Sequence, residues 1–213
     1  MNERPKRDTH ETRGTSAARR VRMLLRVFLV TACLLPAGRS SATDPIRVGH
    51  YTSSPWGFTT NSFWIEGPSG LILIDTQFLL SAGREAVDVA ERYTGKRVVL
   101  AIVLHPNPDK FNGTGHLVSR GIRLITSAQV RALIPAVDAD RRKSFLQRYR
   151  PDYPESLTLP ESFGNRTATL RAAGLELTLH VLGRGTSEAH VALQVGDHLF
   201  AGDLLANRHH AWL

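Results

Sequence analysis

From Ile46 to Thr76 apolar and polar positions alternate in three short runs, IRVGHYT, TNSFWIEG and LILIDT, the last two parted by Pro68-Ser69-Gly70. A period of two broken by turn residues predicts antiparallel strands joined as hairpins. The period then changes. In LLSAGREAVDVAERYT, Leu80, Ala86, Val87, Ala90 and Tyr93 recur at helical spacing, which predicts an amphipathic helix over 79–94 lying on a sheet. RVVLAIVL has no polar face and predicts a strand buried on both sides.

Beyond it, TGHLVSR predicts a short helix and IRLIT a strand. The segment from Ser127 to Arg150 predicts a helix capped by Ser127 and kinked or broken near Pro135, which cannot donate an amide hydrogen. Pro151, Pro154 and Pro160 mark an irregular connector. TATLRAAGLELTLHVLG predicts a hairpin, and HVALQVGDHLFAGDLL two more strands around Gly196-Asp197. Strands, a covering helix, a buried strand, another helix and further strands amount to a layered α/β domain.

Charge changes this picture little once it is located. The net charge is +8, but residues 1–42 hold nine Lys/Arg and three Asp/Glu, so the leader carries +6 and the rest of the chain +2. A nearly neutral body argues against nucleic acid as a partner. The leader itself reads as an export signal: Arg19, Arg20, Arg22 and Arg26 precede the apolar run Val27–Leu35, and Ser40-Ser41-Ala42 offers a cleavage site. That run is short for a permanent membrane span. The domains expected are therefore a leader at 1–42 and one folded body at 43–213, exported to the periplasm or secreted. Val30-Thr31-Ala32-Cys33 loosely resembles a lipoprotein processing box, in which Cys33 would carry a lipid anchor; a cysteine discarded with the leader is the alternative. The body has no cysteine after Cys33 and forms no disulfide.

The candidate chemistry lies where the buried strand ends, at VLHPNPDKFNG. His105, Asn107, Asp109 and Lys110 follow the strand at once, and a later strand ends at Gly202-Asp203. Strand-end loops supply side chains with free lone pairs while the strands hold them still. His105 offers an imidazole nitrogen to zinc, and Asp109 and Asp203 can ligate a metal, orient a water or take its proton. Taken alone, a hydrogen-bonded loop histidine and turn or cap aspartates are the plainer readings. Lys110 cannot ligate while charged.

NSFWIEGPSGLILIDT, the strand into LHPNPDKFNG, VLGRGTSEAHVAL and HLFAGDLLAN, taken in order and spacing over residues 46–213, resemble the metallo-β-lactamase superfamily. The resemblance implies an αββα sandwich of two mixed β-sheets with outer helices, and a zinc hydrolase site at one edge between the sheets. The family's HxHxDH motif, laid on residues 105–110, keeps His105 and Asp109 and replaces two histidines by Asn107 and Lys110. Its next histidine falls at or beside Thr186, with His190 four residues on, and its bridging aspartate falls on Asp203. Asp75 matches the aspartate that supports the metal loop from behind. The family's last strand and its histidine have no counterpart before Leu213, which leads us to expect a domain incomplete at its C-terminus, with an open edge and an uncovered apolar face.

The resemblance thus implies one zinc ion at most, on His105, Asp109 and Asp203, or none. His190, His209 or His210 are reserve ligands. Without metal, Lys110 is expected to pair with Asp109 and Asp203 in its stead. Two functions follow as expectations. One is an exported hydrolase-like protein, active, weakened or inactive, in which a metal-bound or Asp-activated water attacks an ester, lactone, thioester or lactam of a small molecule, with Asp109 and Lys110 as catalytic groups. The other is a non-catalytic binding protein with Trp56, Phe58, Trp64 and Phe111 walling the same edge.

Overall fold

The computed structural model describes Met1 and residues 45–205. Expectations that fall on the leader, on Cys33 or on His209 and His210 lie outside the described residues. The described residues from Pro45 on form one compact unit.

Two sheets face each other. The first has six strands in sequence order: β1 (Arg47–Thr52), β2 (Asn61–Gly67), β3 (Gly70–Ile74), β4 (Val98–Ile102), β5 (Arg123–Thr126) and β6 (Glu161–Ser162). β1, β2 and β3 pair antiparallel, as their hairpin-like sequences predict, and β3 to β6 pair parallel. The parallel crossovers carry helices, α1 (Leu80–Thr94) between β3 and β4, and α2 (Pro108–Phe111) with α3 (Thr114–Ser119) between β4 and β5. A parallel pair needs such a crossover because a tight turn cannot reverse the chain twice.

The second sheet holds β7 (Ala168–Ala172), β8 (Leu175–Leu182), β9 (His190–Val195) and β10 (His198–Phe200) in the order β10-β9-β8-β7. It is antiparallel throughout rather than mixed. The β7–β8 turn places Ala173 and Gly174 at φ 52° and 80°, the left-handed pair that matches the twist of a two-residue hairpin. The strands of this sheet read apolar on one side and polar on the other. Leu177, Leu179, Val191 and Leu193 are buried, whereas Glu176 and Gln194 are exposed and His180 bonds Gln194 on the outer side. Its described outer face mixes polar side chains, among them Thr178, His180 and Gln194, with the exposed Leu182 and Leu199.

The core fills the space between the sheets and beneath α1. Ile65, Leu71, Ile72, Leu73, Ala101, Ile102, Ile125, Leu177, Leu179, Val191 and Leu193 are wholly excluded from solvent. A satellite cluster of Phe78, Tyr149 and Tyr153, with Phe145 packed on it, seals the side under the Pro151–Pro160 connector. Trp64 and Phe111 are buried in the main core and wall no binding edge. Trp56 and Phe58 stay half-exposed on the satellite cluster, their rings 4.5 Å from Tyr149 and 4.8 Å from Phe78.

Of the two outcomes expected at Pro135, the break does not occur, and for a physical reason. The helix α4 (Ala128–Phe145) runs unbroken through Pro135. Proline frees the carbonyl of Arg131, and because Arg131 and Pro135 both lie on the exposed face, water can take that bond. The predicted cap holds, with Ser127 Oγ accepting from Val130 N at 3.2 Å. Among the described residues no helix is long and apolar enough to cross a membrane.

Because Ile72 pairs within the centre of the first sheet and is fully buried, Ile72→Ala should lower unfolding stability by about 2–5 kcal/mol, read by urea titration. A loss below about 1 kcal/mol would mean that this sheet is not the closed core described.

Candidate functional site

Strand β4 does not stop freely at Ile102. Val103 N donates to Ile125 O, Leu104 N donates to Asp75 Oδ1 at 2.9 Å, and Leu104 O accepts from Val191 N of β9 at 2.7 Å. The last contact ties the first sheet to the second. It also fixes the backbone of His105, the next residue, at the edge where the sheets meet.

The chain then turns into α2, with Asn107 at the N-cap position, making no side-chain cap bond, and Pro108 opening the helix. This short turn carries Asp109 and Lys110. From the other sheet, β10 leads into a 3-10 turn, Gly202–Leu204, that presents Asp203. Gly202 has φ 55° and passes so close to Leu104 that an added Cβ would lie 3.2 Å from its Cδ1. A residue without a side chain is what lets this turn approach.

The expected site residues from the two sheets meet here. His105 Nε2 lies 3.0 Å from Asp203 Oδ2, and Lys110 Nζ lies 3.0 Å from Asp203 Oδ1 and 2.7 Å from Asp109 Oδ2. One carboxylate thus serves an imidazole with one oxygen and an ammonium with the other. Since a carboxylate only accepts, His105 Nε2 carries the proton of that bond, which leaves Nδ1 as the acceptor of the neutral ring. Facing Nδ1 at 3.2 Å is the hydroxyl of Ser187.

Ser187 belongs to the turn between β8 and β9. The same turn carries Thr186, whose Oγ1 lies 3.1 Å from His190 Nε2, while His190 Nδ1 donates to Gly183 O at 3.2 Å. His190 does not reach the carboxylates. Its ring packs beside that of His105 with centroids 5.1 Å apart. Gly185 packs this turn against the end of the Leu204 side chain, which would have to shift to admit a Cβ there.

Electrostatics follow from burial and contact. Burial alone would push the Lys110 ammonium down; Asp109, Asp75 and Asp203 more than reverse this and hold it charged. Burial would likewise raise Asp203, but the hydrogen bond from His105 and the charge of Lys110 drive it well below the usual carboxylate range. Burial lowers His190, and so keeps that ring neutral. Asp75 is fully enclosed, and burial pushes it up to about 7 despite the nearby charge of Lys110 and the hydrogen bond from the Leu104 amide. It sits at φ 61°, a backbone region that aspartate and asparagine tolerate better than most residues.

A zinc ion does not fit this donor set as it stands. His105 spends both ring nitrogens, one on Asp203 and one on Ser187, and the Lys110 ammonium lies against both carboxylates that would have to turn toward a metal. Asn107 and Thr186 supply no imidazole, and catalytic zinc commonly holds three protein ligands. Among the described residues no group of three or more His, Cys, Asp or Glu side chains is arranged to hold a metal.

Ser187 is the site residue that sequence reasoning missed. Its signal was present in GRGTSEAH, but alignment with a ligand position directs attention to Thr186, one residue earlier. Only the three-dimensional turn shows that Ser187 faces His105 and Thr186 faces His190.

The Asp75 shift has a pH consequence. With its pKa raised above the ordinary value, folded Asp75 keeps a proton that the unfolded chain releases, so its contribution to stability is lost as pH rises from about 4 to about 7. Asp75→Asn retains an oxygen for the Leu104 amide and removes the titration. Relative to wild type, the variant should gain stability from pH 4 to pH 8, by up to about 4 kcal/mol. Equal gaps between variant and wild type at both pH values, measured by urea unfolding, would contradict this.

No protein-family model matches the chain, and no curated protein matches it in sequence. Solved structures do match. A metallo-β-lactamase from Pontibacter korlensis superposes with a TM-score of 0.57 at 18% identity, over 78% of this chain and 69% of its own. The metallo-β-lactamase IND-7 gives 0.53 at 16% identity, over 78% and 68%. TMB-1, described for its substrate and inhibitor binding, gives 0.51 at 18%, over 78% and 68%. With its six-stranded mixed sheet, its facing antiparallel sheet and the strand ends converging at one edge, this chain has the metallo-β-lactamase fold.

Proposed function

We propose that this chain is a hydrolase on the metallo-β-lactamase fold that attacks a carbonyl substrate without zinc, His105 being the base and Asp203 its orienting partner. The observation that carries this reading is the 3.0 Å contact from His105 Nε2 to Asp203, which makes Nδ1, facing the Ser187 hydroxyl, the proton-accepting nitrogen of the ring. Lys110 acts in this reading as a fixed positive charge. Its ammonium is held by Asp109 and Asp203, which places it as the keeper of the carboxylates rather than as a donor to substrate. The fold of the neighbours supports hydrolysis as the reaction class, and the substrates are small esters, lactones, thioesters or lactams. Export through the 1–42 leader is part of the same proposal.

A second reading rests on one observation. The two carboxylates and the ammonium satisfy one another, which is what a site relieved of chemistry would also show. That reading is a non-catalytic protein binding a small molecule at the same edge.

Hydrolysis of a panel of such substrates in excess chelator separates the two. His105→Ala should lower kcat by roughly 10²–10⁴, the usual weight of a general base. Asp203→Asn should lower it less, because the imidazole remains while its orientation is lost. Turnover that appears only on adding zinc would overturn the metal-free mechanism, and no turnover at all would favour the binding reading.

A further inference from the structure

We infer that Ser187 is a covalent nucleophile, and that Ser187, His105 and Asp203 form an acyl-transfer triad on this fold; the inference rests on the metal-free hydrolase proposed above. The three groups stand in the required chain. Ser187 Oγ is 3.2 Å from His105 Nδ1, and His105 Nε2 is 3.0 Å from Asp203 Oδ2. The carboxylate fixes the tautomer, so the serine O–H donates to Nδ1, the arrangement in which a hydroxyl is activated by an adjacent base that a third group orients. The ring is used in the reverse sense from the commonest triads, with Nδ1 toward the serine. That changes no proton count.

Placement supports the role. His105 is wholly buried, whereas Ser187 and Asp203 are each partly exposed, so a substrate can reach the hydroxyl without displacing the imidazole. Thr186, its neighbour, is engaged by a different histidine, His190, whose other nitrogen is spent on a backbone carbonyl. The two hydroxyls are therefore not equivalent, and only Ser187 is backed by a carboxylate.

The step balances without a cofactor. Ser187 Oγ attacks the ester carbonyl carbon as its proton passes to His105 Nδ1, and Asp203 stabilises the imidazolium through Nε2–H. The carbonyl then re-forms, the alcohol leaves with the Nδ1 proton, and an acyl-Ser187 ester remains. Water attacks that ester, gives one proton to Nδ1 and releases the acid, and the proton returns to Ser187 Oγ. One ester and one water become one acid and one alcohol.

The surroundings indicate the substrate class. Asp109, Lys110 and Asp203 sum to one negative charge, which disfavours an anionic substrate. An uncharged ester suits this balance of charge.

The test uses the full chain in excess chelator with p-nitrophenyl butyrate, alongside labelling by phenylmethylsulfonyl fluoride, intact-mass measurement and peptide mapping. The expected result is one sulfonyl group per chain on Ser187, a p-nitrophenol burst, and loss of both in Ser187→Ala, with kcat/KM down at least about a hundredfold. His105→Ala should slow labelling by a similar factor. Ser187→Cys, with circular dichroism as a check on folding, should restore the burst. Hydrolysis in chelator that survives in folded Ser187→Ala would overturn the serine while leaving the metal-free hydrolase standing, with water as the nucleophile. Labelling confined to other residues would also overturn it, and wild type that neither labels nor hydrolyses would overturn both.

Discussion

A buried ammonium must be answered by negative charge, and the geometry of this edge follows from that requirement at Lys110. Its side chain is only 7% exposed, yet it remains charged because Asp109 from its own turn and Asp203 from the opposite sheet lie within 3.0 Å. Removing a charge from water costs several kcal/mol unless it is paired and hydrogen-bonded. The pairing therefore holds the Gly202–Leu204 turn against α2, and with it sets Asp203 where its second oxygen meets His105. One lysine thus organises a carboxylate, and the carboxylate organises an imidazole.

The fold makes this possible by bringing distant residues to one edge. His105 and Asp203 are 98 positions apart in the chain and on different sheets. They meet because Leu104 is held from both sides, by Asp75 beneath and by Val191 across the sheets. Asp75 pays for that support with its own burial, which shifts its pKa to about 7. Strand β4 is a rigid post, and the chemistry sits on its end.

Much of the fold was legible in the sequence because period-two and helical patterns report burial directly. LILIDT, RVVLAIVL and TATLRAAGLELTLHVLG became β3, β4 and the β7–β8 hairpin. The expected break at Pro135 did not occur, because a pattern cannot say that the freed carbonyl faces solvent. At the site, His105, Asp109, Lys110 and Asp203 were legible as residue types at strand ends, and the pairing of Lys110 with both aspartates followed from their charges once the resemblance had put them at one edge. The partner of Nδ1 was not. A serine in a turn carries no periodic signal, and its meaning depends on which way that turn folds over His105.

The account's central claim is that Lys110 occupies, in charge and in contacts, the role a metal would need at this edge. Elemental analysis of the purified protein after equilibration with zinc and dialysis, beside Asp109→Ala, addresses it most directly. The account predicts no stoichiometric zinc in either sample, with both folded. About one zinc ion per chain in the wild type, lost in Asp109→Ala, would show that His105, Asp109 and Asp203 open to a metal and would contradict it.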